Sequence, residues 1–248
     1  MKINTNFRKD KGSDERLIVL FSIQNRRIKE YSLNSSFKIV LFILLLLFNI
    51  IFISAASTIQ NIQCSFKTFT NGGWGANCHG SNAGCYLESN FSKAFPNGLI
   101  IGCERKLRLT SASAVNDFLP SSGSINTLPV GTTINPGQTY ANTFAGQLVA
   151  LTLNVRFDEY DTSFAPASGR LGSLVIAQGL FSGWTVNRFL DSANRVIGSC
   201  LTVYSMSDWV QTAKLINQNF DNGTVDMGFL MCLEPLQLSL AIQSTIKC

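Results

Sequence analysis

The sequence contains only one histidine, His79, among its 248 residues. Sites that need two histidine ligands, or two histidines for proton transfer, are therefore excluded. The chain also lacks the G-x-S-x-G, H-E-x-x-H, G-x-x-x-x-G-K-[ST] and G-x-G-x-x-G patterns, which mark serine hydrolases, zinc peptidases and nucleotide-binding proteins. No catalytic or nucleotide site of these kinds is predicted, and His79 is expected in a surface loop.

Charged side chains are also scarce, at 14% of the residues against 46% hydrophobic ones. This composition is too apolar for a disordered chain. The net charge of +5 is confined to residues 1–38, which hold nine of the 20 Lys and Arg and four of the 15 acids. Residues 39–248 carry eleven charges of each sign, so no nucleic-acid partner is predicted.

A run of apolar residues follows the basic flank and contains one polar residue, Asn49, between 39 and 53. Residues 39–56 are predicted to be a hydrophobic signal or signal-anchor segment. The small residues Ser54, Ala55 and Ala56 favour cleavage after Ala56, whereas the length of the flank favours a retained anchor with residues 1–38 in the cytosol. Both alternatives stay open, and both place residues 57–248 in the lumen or outside the cell. The predicted localisation is the secretory pathway, as a single-pass membrane protein or a secreted one.

All seven cysteines follow the apolar segment, which is typical of a disulfide-bonded domain in an oxidising compartment. Zinc ligation around His79 is the alternative, but the close C-x-x-C pairs of zinc sites are absent. Six cysteines are candidates for three disulfides of unassigned pairing: Cys64, Cys78, Cys85, Cys103, Cys200 and Cys232. The seventh, Cys248, is a candidate for a disulfide-linked dimer.

Two N-x-S/T sequences in the exported part, at Asn90 and Asn222, are candidate glycosylation sites. They predict a glycoprotein if the chain passes through a compartment that attaches glycans.

The exported residues predict one disulfide-stabilised α+β domain, with short strands in its N-terminal third and helices in its C-terminal half. Strands are expected over 65–70, 98–103 and 106–110, and residues 236–242 also alternate like a strand. Helices are expected over 111–118, from a cap at Thr185 to Ile197, and from a cap at Ser207 to Phe220. The apolar residues in 143–157 fit both the helical period and the alternation of a strand, and the length of the segment favours a helix.

The densest acidic cluster is Asp158, Glu159 and Asp161, which offers carboxylates for glycoside hydrolysis or calcium binding. Solvated acids at the end of an element are the alternative. No cofactor is expected, and calcium held by these acids or by residues 221–226 is the other option. Trp74 and Trp184 lie among glycines, so each is either a core residue or a platform for a sugar ring.

Eight sequence blocks follow one another in a recognisable order, at residues 69–75, 95–103, 109–112, 118–121, 145–151, 157–161, 183–186 and 220–226. Together they resemble a cysteine-bearing module of large secreted or surface-attached bacterial proteins, one with no established activity. The resemblance covers residues 66–232, about two thirds of the chain. It implies an extracellular location and no site residues.

Two functions follow from these observations. The first is a non-enzymatic extracellular or cell-surface domain that acts in binding or adhesion, with a protein or a glycan as its partner. The alternative is a secreted hydrolase acting on polysaccharide, with Asp158, Glu159 or Asp161 as the carboxylates. An enzyme would need its acids to converge in a pocket, with one of them in an apolar setting that raises its pKa.

Overall fold

The computed structural model describes residues 65–167 and 169–232, which belong to one compact unit, Ile62–Cys248. The predicted flank 1–38, the hydrophobic segment 39–56, Cys64, Cys248 and the tail 236–242 lie outside the described residues. Among the residues that the structure describes, no helix is both long and apolar enough to cross a bilayer.

The described part is a mixed α+β fold with six α-helices and five short strands. The helices are α1 Asn71–Trp74, α2 Ala83–Ala94, α3 Ala112–Phe118, α4 Thr143–Tyr160, α5 Val186–Ile197 and α6 Met206–Asn219. The strands are β1 Leu99–Gly102, β2 Lys106–Leu109, β3 Thr132–Ile134, β4 Val175–Ile176 and β5 Leu230–Met231.

Helix α4 forms the centre of the domain and packs against α5, α6 and β1. Twelve of its 18 residues are buried, so it is surrounded by protein on almost every side. A helix buried all round is apolar at every spacing. This explains why its sequence fits the strand period and the helix period equally well. The prediction of a helix here is confirmed.

The larger sheet has the order β1-β2-β3. β1 and β2 form the predicted antiparallel pair, with Leu99 opposite Leu109 and Ile101 opposite Leu107. All four of these side chains are fully buried and face the core. Gly102 ends β1 with φ of +96°, and a Cβ there would collide with the carbonyl of Arg105. The tight connection between the strands therefore requires glycine at this position.

The predicted distribution of elements is only partly right. Helix α2 lies in the N-terminal part, and β4 pairs with β5 in the C-terminal half. Residues 65–70 form no strand, and only Thr68 makes a bridge, to Asp221. The helix expected to begin after Ser207 has its N-cap at Ser205 instead. The cap at Thr185 and the helix over 112–118 are confirmed.

A fully buried amide, Asn154 on α4, connects three parts of the core. Its Oδ1 accepts from the backbone N–H of Phe69 at 2.8 Å and from Nε1 of Trp74 at 3.0 Å. Its Nδ2 donates to the Phe69 carbonyl at 2.9 Å and to Oδ1 of Asn217 at 3.0 Å. Four partners therefore satisfy the amide, as a buried polar group requires.

Candidate functional site

A group of large apolar side chains remains at the surface beside α5 and α6. Leu180 is 54% exposed, Tyr204 is 53% exposed and Val203 is 38% exposed. Trp184 is half-buried next to them, and Arg188 is exposed on α5. We call these five residues the Trp184–Tyr204 surface.

Two buried rings, Phe181 and Trp209, hold the aromatic residues of this surface together. The Phe181 ring lies 5.3 Å from Trp184 and 5.2 Å from Tyr204, centroid to centroid. The Trp209 ring lies 6.2 Å and 6.1 Å from the same two residues. These distances are in the range of favourable aromatic pairs. The exposed tyrosine and the half-buried tryptophan therefore both pack against the same two buried rings.

The segment that carries Val203 and Tyr204 is held in place on both sides. Before it, a disulfide joins Cys200 to Cys103. Within it, Nε1 of Trp209 donates to the Val203 carbonyl at 2.9 Å. After it, Ser205 and Asp208 form a capping box at the start of α6. The segment is thus anchored at both ends and at Val203, so ordering it on binding should cost little conformational entropy.

The backbone of this segment is also unusual, because Tyr204 has φ of +57° and Ser199 has φ of +65°. Residues with a Cβ are uncommon in this left-handed region, and a bulky residue there is an outlier. Such conformations persist only where the surroundings enforce them, and they are frequent at functional sites. The Tyr204 ring, on this unusual backbone, is about half exposed to solvent.

Arg188 places its guanidinium 4.0 Å from the centroid of the Trp184 ring. This is a close cation–π contact, and stacking on an aromatic face is typical of arginine. One face of the half-buried indole is therefore covered by the protein's own side chain. A role for Trp184 as a sugar platform stays a prediction.

Trp74, the other predicted platform, is completely buried. Its ring contacts Phe69 at 4.9 Å and Phe157 at 5.3 Å, centroid to centroid. It is therefore a core residue and has no face for a ligand. Trp74 differs from Trp184 in lying on a helix capped by Thr70 and in donating to the buried Asn154. Neither feature was evident from the sequence alone.

The three candidate acids are not equivalent. Glu159 is partly exposed and pairs with Arg156 at 3.4 Å. Asp158 is buried, and its Oδ2 accepts from the backbone N–H of Leu171 at 2.7 Å. Burial raises the pKa of Asp158, because desolvation disfavours the charged form. Asp161 accepts from Ser163 at 2.6 Å, and this hydrogen bond lowers the pKa of Asp161.

Asp158 and Asp161 line one cavity of about 170 Å³ together with Arg170 and Thr162. The cavity is smaller than the usual ligand site, which has a volume of roughly 300–1,000 Å³. The oxygens of Asp158 and Asp161 already accept hydrogen bonds from the protein. This corner of the domain therefore combines two carboxyl groups with opposite pKa shifts in a confined space.

In residues 65–167 and 169–232, no three His, Cys, Asp or Glu side chains are grouped as metal ligands would be. In the alternative calcium segment, Oδ1 of Asp226 accepts from Asn219 at 3.2 Å and from the N–H of Gly228 at 2.9 Å. Asp226 thus stabilises the turn after α6.

The single histidine, His79, is exposed on the loop that precedes α2. It lines an open groove of about 500 Å³ with Ser81, Asp221 and Asn222. No hydrogen bond from the imidazole to these residues occurs in the described part. The groove therefore presents polar side chains, but within the described residues His79 is not hydrogen-bonded to an acidic side chain that could act with it in proton transfer.

The two candidate glycosylation sites differ in setting. Asn222 is exposed in a turn with φ of +54°. Asn90 lies on α2, half-buried, and its Nδ2 donates to the Tyr86 carbonyl at 3.1 Å. A glycan at Asn222 would project from a turn, whereas one at Asn90 would replace a helix-surface hydrogen bond. Both remain predictions.

Disulfide bonding is present, in the pairs Cys78–Cys85 and Cys103–Cys200. Cys232 is disulfide-bonded as well. The first pair closes the loop before α2, and the second connects the end of β1 to the segment after α5. The second pair therefore supports the Trp184–Tyr204 surface directly.

The chain matches no protein-family model, and no curated protein or solved structure is significantly similar to it. The fold and the surface chemistry therefore carry the functional argument.

Tyr204 and Arg188 are the residues that sequence reasoning missed. A local signal for Tyr204 exists, because it directly precedes the N-cap Ser205 and contacts Trp209 in the first turns of α6. This is the spacing of a hydrophobic staple. Arg188 lies three residues after the cap Thr185, where a cation is unexpected because the helix dipole disfavours it.

Proposed function

We propose that the chain is a non-enzymatic extracellular or cell-surface domain that binds another protein through the Trp184–Tyr204 surface. The observation that supports this is the exposure of large apolar side chains on two segments that meet at Phe181 and Trp209. One of these segments, which carries Val203 and Tyr204, lies between a disulfide and a capping box. Contiguous exposed apolar surface on a folded domain is typical of interaction sites. The disulfides support the extracellular setting, because such bonds persist in oxidising compartments.

The composition of the surface favours a protein partner over a glycan. Tryptophan, tyrosine and arginine are the residues most enriched at the energetic centres of protein interfaces. Leu180 and Val203 add exposed aliphatic surface. The hydroxyl groups of a sugar would find no hydrogen-bond partner on these side chains. One face of the Trp184 ring, the predicted sugar platform, carries the Arg188 guanidinium.

The test is to screen the full-length chain against an array of extracellular protein domains, beside the variant Tyr204→Asn. Asparagine tolerates the left-handed backbone of this position, so the variant removes the ring without adding strain. We expect a partner whose binding is lost in Tyr204→Asn and kept in Val130→Ser, which alters an exposed apolar residue outside the surface. A partner equally bound by both variants, or no partner, contradicts the proposal.

A hydrolase acting on polysaccharide is the second candidate, and the cavity at Asp158 and Asp161 is the observation that favours it. Enzymes that use two carboxyl groups hold one protonated and one ionised, which is the direction of the two pKa shifts here. The measurement is the release of reducing ends from a panel of polysaccharides. Activity that disappears in Asp158→Asn and persists in Glu159→Gln would support it, and no release by the wild type would exclude it for that panel.

A further inference from the structure

We infer that the partner segment carries a carboxylate, which the Arg188 guanidinium binds while apolar side chains of the same segment pack on Tyr204 and Leu180. This inference rests on the proposed function and names the chemistry of its ligand, an acidic peptide segment.

Arg188 is held in place but leaves its hydrogen-bond donors open. Its guanidinium lies over the Trp184 ring, so its position is restricted. In the part of the chain that the structure describes, it makes no ion pair and donates no side-chain hydrogen bond. A positioned, unpaired guanidinium is suited to bidentate binding of a carboxylate.

Four other arginines of the domain are already engaged by protein acceptors. Their guanidinium groups donate to protein acceptors, as follows: Arg105 to Thr127 and Leu128, Arg108 to Asn97, Arg156 to Ala94 and Glu159, and Arg170 to Asp158. Arg195, on the same helix as Arg188, is exposed and makes no such bond within the described residues. It differs from Arg188 in having no aromatic ring beneath it there.

The location of Arg188 is unfavourable for the fold alone. It lies in the first turn of α5, where the positive end of the helix dipole repels a cation. Asp191, one turn further along and exposed, makes no ion pair with it among the described residues. A carboxylate from a partner would supply the negative charge that this end of the helix lacks.

The apolar neighbours define the rest of the ligand. The Tyr204 ring contacts the Phe181 ring, and Leu180 directly precedes Phe181 in the sequence. A segment whose carboxylate reaches Arg188 can place adjacent side chains over the exposed apolar area at Tyr204, since Trp184 and Tyr204 both pack on Phe181. Burying that area around the ion pair excludes water, which strengthens the charge-assisted hydrogen bonds.

The experiment is selection from a phage-displayed library of random dodecapeptides on the immobilised full-length protein. We expect the selected peptides to be enriched in Asp or Glu next to aliphatic or aromatic residues. A synthetic copy of the strongest peptide should bind Arg188→Gln about tenfold or more weakly than wild type. Binding to Arg195→Gln, which carries the same charge change on the same helix, should be unchanged.

The outcomes separate this inference from the proposed function. Selected peptides without acids that still lose binding in Tyr204→Asn would overturn the inference and leave the proposed function standing. Acidic peptides that bind Arg188→Gln as tightly as wild type would overturn the inference as well. If no peptide is selected, or if acidic glycans bind in an Arg188-dependent way instead, the peptide ligand is wrong. Arg188→Lys, which keeps the charge but not the fork, should recover only part of the affinity.

Discussion

Asn154 shows how one residue specifies the packing of three segments. Its amide satisfies the backbone of Phe69, the indole of Trp74 and the amide of Asn217 at once. Asn217 in turn donates to Gln147, at 3.0 Å to the carbonyl and 3.1 Å to Oε1. The network connects α1, α4 and α6 and leaves no member of this set unpaired.

Replacing Asn154 with alanine should destabilise the domain by about 3 kcal/mol or more, because several buried polar groups lose their partners together. Thr152→Ala is the matched control on the same helix. It removes one hydrogen bond, from Oγ1 to the Leu148 carbonyl at 2.7 Å, and should cost about 1 kcal/mol or less. Urea unfolding measures both changes in the free energy of unfolding. Equal losses of stability in the two variants would show that the network contributes no more than a single hydrogen bond.

Asp158 and Asp161 predict opposite dependences of stability on pH. Because burial raises the pKa of Asp158 in the native state above 3.8, the native state binds its proton more tightly than the unfolded state does. The free energy of unfolding therefore falls as pH rises from 3.8 through the raised native pKa. For Asp161 the native pKa is lowered, so its contribution is present above 3.8 and is lost as pH falls through the native pKa.

We expect Asp158→Asn to raise the melting temperature at neutral pH, since an asparagine Oδ1 can still accept from Leu171 without carrying a charge. The gain should disappear below pH 3.8. Asp161→Asn should lower the melting temperature at neutral pH and lose its effect in acid. Thermal unfolding across this pH range measures both, and shifts of the same sign would refute the assignment.

At the scale of elements, the start of α6 connects stability to the candidate binding surface. Ser205 caps the helix, and the backbone N–H of Ser205 donates to Oδ2 of Asp208 at 3.3 Å. The residue before the cap is Tyr204, whose ring contacts Trp209. The capping box and the staple therefore hold the exposed tyrosine in its strained conformation.

Ser205→Ala should destabilise the domain by about 1 kcal/mol, the usual cost of losing an N-cap. Ser207→Ala, in the first turn of the same helix and equally exposed, removes no cap and should change the free energy of unfolding by less than about 0.5 kcal/mol. Denaturant titrations decide between them. A larger loss in Ser207→Ala would place the cap at Ser207, as the sequence pattern indicated.

At the scale of the whole domain, two disulfides close loops of very different size. Cys103 and Cys200 are 97 residues apart, whereas Cys78 and Cys85 are seven apart. The longer cross-link restricts the unfolded chain more, by about 5 kcal/mol against about 2 kcal/mol in the chain-entropy estimate. It also lies next to the segment that carries Tyr204.

The double variant Cys103→Ser/Cys200→Ser should therefore lose more stability than Cys78→Ser/Cys85→Ser, and it alone should weaken binding at the Trp184–Tyr204 surface. Urea midpoints and the affinity for the selected peptide measure the two effects. Equal midpoints would argue against the loop-entropy account. Unchanged affinity in the Cys103→Ser/Cys200→Ser variant would show that the segment is held by its other contacts.

Local patterns predicted the elements whose signal is itself local. The strands β1 and β2, the helix over 111–118, the cap at Thr185 and the helical conformation of α4 follow from the period and from the capping residues. The sequence did not predict helix α2, because Asn, Ser and Cys are interspersed among its apolar residues and weaken the helical period of hydrophobicity. Strand β3 has only three residues and pairs with β2 in parallel, and such a pairing leaves no signal in a short segment.

The sequence by itself determined the α+β class, the exclusion of sites that need two histidines and the confinement of the net charge to residues 1–38, since each depends only on which residues are present and how they are spaced. The tertiary structure decided which tryptophan is buried and which is covered by Arg188, and that Asp158 is buried while Glu159 meets solvent. It also brought Tyr204, Trp184 and Leu180 to one surface. Burial and proximity arise from contacts between distant segments, such as Thr68 with Asp221, and spacing along the chain does not encode them.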